Sequence, residues 1–188
     1  MKVLKKILFT LMSVFLIYRS YDMIGHLILN PAENSTSESL VLALLINLFI
    51  TGIFAFPGFV YQTSKIFPSK YYLVHNEKQL SIVYKILKVD VFRKALLFLF
   101  WGHKKNSKKY FDGTRTGLDN FIYQSKQSEF GHLNAFVLIT LISIILLFKE
   151  YYLIVVFTIF INAIGNLYPV ILQRYHRFRI QKIAARRL

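Results

Sequence analysis

LVLALLINLFITGIFAFPGFVY, residues Leu40 to Tyr61, contains no charged side chain. A helix needs about 20 mostly apolar residues to cross the hydrocarbon of a bilayer, and this stretch supplies them without interruption. On its C-terminal side, Gly131 to Phe148 and Tyr152 to Leu172 repeat the pattern, separated only by Lys149, Glu150 and Tyr151. Such a short connection predicts a tight antiparallel hairpin. On its N-terminal side, Leu4 to Leu29 is long enough to span but carries Arg19, Asp22 and His26 in its outer half. Spacings of three and four place those groups on one helical face, where they satisfy one another or face other helices. The chain therefore reads as an all-α polytopic membrane protein with four transmembrane helices, at about 4–29, 40–61, 131–148 and 152–173. It forms a single membrane domain over 1–188, with a long loop over about 62–130 and a tail over 174–188.

Charge orients these spans. Of the 24 Lys and Arg residues, three lie in Lys2 to Lys6, thirteen between Lys65 and Lys126, and six from Arg174 to Arg187. The two alternate connections, Asn30 to Ser39 and the one around Glu150, are acidic or nearly uncharged. Basic loops are retained in the cytoplasm, so both termini and the long loop are expected to be cytoplasmic. With 55% hydrophobic residues the chain exceeds the needs of an ordinary soluble core. Its formal charge of +15 borders apolar spans and does not sit on a soluble domain, which argues against nucleic acid and for anionic headgroups. The absence of cysteine excludes disulfides, thiol nucleophiles and thiolate metal sites. The N-terminus has a basic start and an apolar run, Ile7 to Tyr18, but Arg19 to Asp22 stand where small cleavage-site residues belong. An uncleaved first anchor is expected.

The long loop has helical patterning. Leu80, Val83, Tyr84, Leu87, Val91 and Ala95 recur at helical spacing, with Lys78, Lys85, Lys88 and Lys94 elsewhere around the helix, as in an amphipathic helix lying in the interface. Trp101, the single tryptophan, suits the headgroup level. From Gly102 to Asn120 the basic sequence, with Asp112-Gly113 and Thr116-Gly117 as turn signals, reads as a shallow loop. His75 and His103 are expected to be solvated, and no histidine pair has metal-ligand spacing.

Polar groups inside spans cost most and so mark function. Glu129 and His132 share a face with Phe136, Thr140 and Ser143. On the last span Asn162, Asn166, Pro169 and Gln173 recur at spacings of four, three and four, and the hairpin allows the two stripes to face each other. Gln173, Arg174, His176, Arg177 and Arg179 close the second stripe. A histidine with a carboxylate one turn away can be held in one tautomer and act as a general base. Arginines bind phosphate or carboxylate bidentately. Together they suit an anionic donor meeting a hydroxyl at the bilayer surface. The plainer alternatives are a helix-surface Glu–His pair, a headgroup-binding arginine tail, and a Pro169 kink whose freed backbone Asn166 satisfies.

Ser128-Glu129-Phe130-Gly131-His132-Leu133, then Asn166-Leu167-Tyr168-Pro169, then Gln173-Arg174-Tyr175-His176-Arg177-Phe178-Arg179 together resemble the glycosyl-4,4'-diaponeurosporenoate acyltransferases over about the last third of the chain. These are small bacterial membrane proteins that esterify the sugar of a glycosylated carotenoid in staphyloxanthin synthesis. The resemblance implies transfer of a fatty acyl group, from acyl-CoA or acyl-carrier protein, to a hydroxyl of a membrane glycolipid at the bacterial cytoplasmic membrane. It implies His132 as base, Glu129 as its orienting partner, Gln173, Arg174 and Arg177 as donor or oxyanion contacts, and Asn166 with Pro169 in the cavity wall. No bound cofactor and no metal are expected. The alternative function is a noncatalytic membrane protein that binds anionic lipid or acts as an assembly partner.

Overall fold

The computed structural model of the chain describes residues 2–30, 33–101 and 115–185. Every regular element among them is helical. They are α1 (Lys2–Leu29), α2 (Thr36–Gly58), two short 3-10 turns, α3 (Glu77–Ile86), α4 (Val89–Leu96), a π-helical turn (Leu97–Trp101) and α5 (Arg115–Phe148). Then follow α6 (Tyr152–Asn162), a second π-helical turn (Ala163–Leu167) and α7 (Tyr168–Ala185). Four helical stretches among the described residues are long and apolar enough to cross a membrane: Val3–Leu29, Thr36–Gly58, Gly117–Phe148 and Tyr152–Lys182. The chain is thus an all-α polytopic membrane protein.

Several boundaries differ from the sequence reading, each for a local reason. The second span starts at Thr36 and not Leu40, because Ser35 and Glu38 form a reciprocal capping box, which satisfies two otherwise orphaned donors. Ser35→Ala is expected to lower stability in detergent by about 1 kcal/mol, read as a fall in the thermal unfolding midpoint; an unchanged midpoint would show that this end frays freely. The third span's helix begins at Arg115, so Thr116-Gly117 is helical and not a turn, and Arg115 to Asn120 is not loop. The expected helix through Leu80 and Ala95 is two helices. Lys88 takes the left-handed conformation at φ 49° and breaks it, while the Leu87 amide bonds back to Val83. His103, the Asp112-Gly113 turn and the side chain of Trp101 lie outside the described residues.

The chain divides into two compact units, residues 1–63 with 131–167 and residues 64–130 with 168–188. In the first, α1 packs along α2 and α2 along α6. The core joins Leu27, Ile46, Ile50, Ala135, Ile139, Leu146, Tyr151, Ile154 and Val155. A Cβ on Gly52 would collide with the Leu16 side chain, so glycine permits the close approach of α1 and α2. The Ser13 hydroxyl donates to Ile53 O nearby at 2.9 Å. Glu150, at φ 63°, makes the turn between α5 and α6, and the next residue, Tyr151, donates its hydroxyl to Leu27 O at 2.9 Å. Leu11, Phe15, Leu48, Leu141, Val156 and Phe160 are exposed, as expected of side chains solvated by acyl chains. Arg19 and Asp22 pair at 3.2 Å on α1.

In the second unit α3 and α4 pack on α7. Tyr84 stacks on Tyr175 with centroids 4.0 Å apart, and Phe92 meets Tyr168 edge-on at 5.4 Å. On α4 Asp90 pairs with Arg93 at 2.7 Å and Lys94 at 3.1 Å; these hydrogen bonds, first that from Arg93, hold its carboxyl below the usual range.

Candidate functional site

Two polar clusters contain the residues singled out in the sequence, one in each unit. In the second unit, Ser125 and Glu129 are four apart on α5, and Arg174 and Arg177 three apart on α7. These spacings put each pair on one helical face. Glu129 is fully buried, and each of its carboxylate oxygens accepts from a different guanidinium. Arg174 Nε donates to Oε1 at 2.8 Å, and Arg177 Nη2 donates to Oε2. Arg177 is spent within the protein: its Nη1 donates to Ser125 Oγ at 2.7 Å and its Nε to the Tyr72 carbonyl at 3.4 Å. Arg174 instead reaches Tyr71, whose hydroxyl accepts from Nη2 at 2.6 Å. Gln173 contributes at the margin, through Nε2 to Ser128 Oγ at 3.4 Å and a backbone carbonyl that accepts from Ser125 Oγ at 3.3 Å.

Burial, then the Glu129 charge, raises the Tyr71 phenol above its ordinary range. The same two causes push Tyr72 up to about 12. Raised values favour the protonated form, so both phenols stay neutral throughout the physiological range. Charge in this cluster resides in Glu129, Arg174 and Arg177.

In the first unit, the stripe on α5 faces Asn162 of α6 and Asn166 of the following π-helical turn, as their spacing predicts. His132 Nδ1 lies 3.0 Å from Asn166 Oδ1. Asn166 Nδ2 donates to Asn162 Oδ1 at 3.0 Å and to Thr51 Oγ1 at 3.1 Å. Asn162 Nδ2 donates in turn to the Phe136 carbonyl at 3.1 Å and Thr140 Oγ1 at 3.3 Å. Because the Asn166 amide nitrogen is committed to those acceptors, its oxygen faces the imidazole, and Nδ1 carries the proton. The Gly165 carbonyl lies in the same π-helical turn as Asn166. That carbonyl has no amide donor four residues on, because residue 169 is proline. The wide turn Ala163–Leu167 accommodates this gap in the ladder.

Arg174 and Arg177 therefore come together with Glu129, and Asn166 with His132; the partner the structure gives His132 for tautomer and orientation is Asn166. His75 is exposed, and His176 meets Phe121 edge-on at 5.5 Å. Among the described residues no three of His, Asp and Glu are placed to hold a metal ion. The sequence reading missed Tyr71, Tyr72 and Ser125. It also missed Asn47 and Thr51 on α2, although their spacing of four inside an apolar span is the signal that exposed Asn162 and Asn166. Asn47 Nδ2 donates to the Thr158 carbonyl at 3.2 Å, so α2 is held to α6 by polar as well as apolar contacts.

No curated protein and no solved structure matches the chain significantly. A family model does match, over residues 68–186, described as glycosyl-4,4'-diaponeurosporenoate acyltransferase. The match reaches well ahead of the last third that carries the motifs and takes in Tyr71, Tyr72, Glu129, His132, Asn166, Arg174 and Arg177. It covers more than half of the sequence, and the chain belongs to the glycosyl-4,4'-diaponeurosporenoate acyltransferase family.

Proposed function

We propose that the chain transfers a fatty acyl group to a hydroxyl of a membrane glycolipid, a carotenoid glycoside being the acceptor that the family description favours. The observation that carries this reading is the hydrogen bond between His132 Nδ1 and Asn166 Oδ1, inside a helix that crosses the membrane. With the proton on Nδ1, the lone pair of a neutral imidazole is on Nε2, which is the form a general base requires. His132 takes the proton of the acceptor hydroxyl as its oxygen attacks the acyl carbonyl. The tetrahedral intermediate collapses with cleavage of the carbon–sulfur bond, and the imidazolium returns the proton to the departing thiolate. Acyl-CoA or acyl-carrier protein supplies the thioester. Asn166 takes the orienting role that sequence spacing gives to Glu129, while Glu129 holds Arg174 and Arg177. Gln173 and Arg174 serve donor binding.

The distribution of basic residues supports a cytoplasmic position, at the bacterial plasma membrane, for both termini and the loop over about 62–130, on the side where such donors are found. Exposed Ile82, Ile86, Val91, Phe98 and Leu99, with the lysines beside them, suit this region to the headgroup boundary.

The test is the lipid extract of a deletion strain. An acylated glycolipid is expected to disappear and to return with the wild-type gene; an unchanged lipid profile would overturn the reading. Asn166→Ala is expected to lower kcat about 100-fold, the scale of a misplaced catalytic group, while KM for the donor changes little; unaltered turnover would remove Asn166 from its orienting role.

The noncatalytic alternative draws on the same ion cluster, because Glu129 engages both arginines internally. Arg174→Lys separates the two. Lysine keeps the charge but loses the planar fork, so association with anionic bilayers through bulk charge persists in either case while acyl transfer falls only in the enzyme.

A further inference from the structure

One carboxylate cannot neutralise two guanidiniums. Glu129 contributes −1 and Arg174 with Arg177 +2, so this buried cluster retains one positive charge. Its members differ sharply in access: the side chains of Glu129 and Arg177 are 0% and 3% exposed, that of Arg174 37%. Arg177 is enclosed by Glu129, Ser125 and the Tyr72 carbonyl. Arg174 uses Nε on Glu129 and Nη2 on Tyr71, and among the described residues its Nη1 edge is the donor left over. The surplus charge is therefore reachable at one side chain.

Tyr71 determines where that side chain points. Its hydroxyl is 2.6 Å from Nη2, and its ring centroid 5.0 Å from the guanidinium carbon. The ring is braced by Phe67 at 4.8 Å and, edge-on, by Tyr72 at 5.0 Å. Tyr72, edge-on to Tyr71, carries an unsatisfied polar atom. The Tyr72 hydroxyl is buried with no hydrogen-bond partner among the described residues, in a side chain only 3% exposed. A buried orphan hydroxyl costs free energy until something satisfies it.

We propose that Arg174, held by Tyr71, forms a binding site for a single phosphate-type anion in the second unit, and that Tyr71 is a positioning residue for it. A planar guanidinium with a free edge matches phosphate oxygens, and one such group balances the cluster's charge. A phosphorylated acyl donor and a phospholipid headgroup carry the same chemistry. Only the assignment to a donor rests on the acyl-transfer reading; the anion site itself does not.

The test uses the full chain in uncharged detergent micelles, titrated calorimetrically with inorganic pyrophosphate. Saturable one-to-one binding is expected. Tyr71→Phe, which keeps the ring and loses the hydroxyl, should weaken it roughly five- to tenfold, the scale of one net hydrogen bond, without moving the thermal midpoint. Arg174→Lys should weaken it at least as much. Lys78→Gln, which removes one positive charge from an exposed position on α3, should leave it within about twofold. Repeating the titration in nanodiscs separates the sources: competition by phosphatidylglycerol but not phosphatidylcholine identifies a headgroup site, and pyrophosphate binding unaffected by either lipid identifies a soluble donor. Absence of binding, a Tyr71→Phe affinity within twofold of wild type, or an equal loss in Lys78→Gln would each overturn the proposal. Because no turnover is measured, these outcomes remain distinct from failure of acyl transfer.

Discussion

His132→Ala is expected to abolish acyl transfer, with a fall in kcat of about 10²- to 10⁴-fold, the range that a positioned general base supplies. The protein should still insert and fold. His132 contributes one side-chain hydrogen bond to the polar network, that with Asn166 Oδ1, and the Thr51 hydroxyl remains 3.2 Å from the same oxygen. Loss of the imidazole therefore costs on the order of 1 kcal/mol in stability and most of the rate. Turnover of purified variant and wild type in the same detergent, beside their thermal midpoints, separates the two effects. A fully active variant would remove the base from the mechanism.

The largest loss of stability is expected from Glu129→Gln. The substitution keeps size and shape but leaves two guanidiniums without a counter-charge, one of them on Arg177, which is 3% exposed. It also turns an amide N–H toward one of them, donor against donor. Breaking one side of a buried ion pair costs about 3–5 kcal/mol, read from chemical denaturation in mixed micelles. Combining it with Arg177→Met removes the stranded buried charge, so the double variant should regain a substantial part of that loss; the cycle reports the coupling. Strictly additive losses, or a single-variant cost below about 1 kcal/mol, would show that the cluster is solvated and not a buried ion network.

The four crossings were legible in the sequence because the hydrocarbon demands long apolar runs and nothing else in this chain provides them. Their ends were less so. The start at Thr36 depends on the Ser35–Glu38 box, a polar signal outside the apolar run. Arg115 to Phe130 is too polar to read as membrane-crossing, yet it continues the third helix. The break at Lys88 had no signal, since neither glycine nor proline marks it. Of the site, the facing stripes followed from helical periodicity, which placed Asn162 and Asn166 correctly opposite Phe136, Thr140 and His132. The partner of Glu129 did not. Sequence proximity favoured His132, whereas both carboxylate oxygens go to Arg174 and Arg177, more than forty positions along the chain. Tyr71 and Tyr72 were hidden for the same reason, because only tertiary packing brings an irregular segment against α5 and α7.

The bonds between α2 and the last crossing have a consequence for biosynthesis. Asn47 finds the Thr158 carbonyl, and Thr51 finds Asn166, across separations of 111 and 115 residues. Until the ribosome has made those distant partners, the emerging second span stands in lipid with the Asn47 carboxamide bonded only within its own helix, to Ala43 O at 2.9 Å, and the Thr51 hydroxyl without Asn166, a state that hydrocarbon penalises. Translation products ending before Tyr152 should accordingly be retained by membrane chaperones or cleared by proteases, so that completion of the final crossing acts as the checkpoint for release.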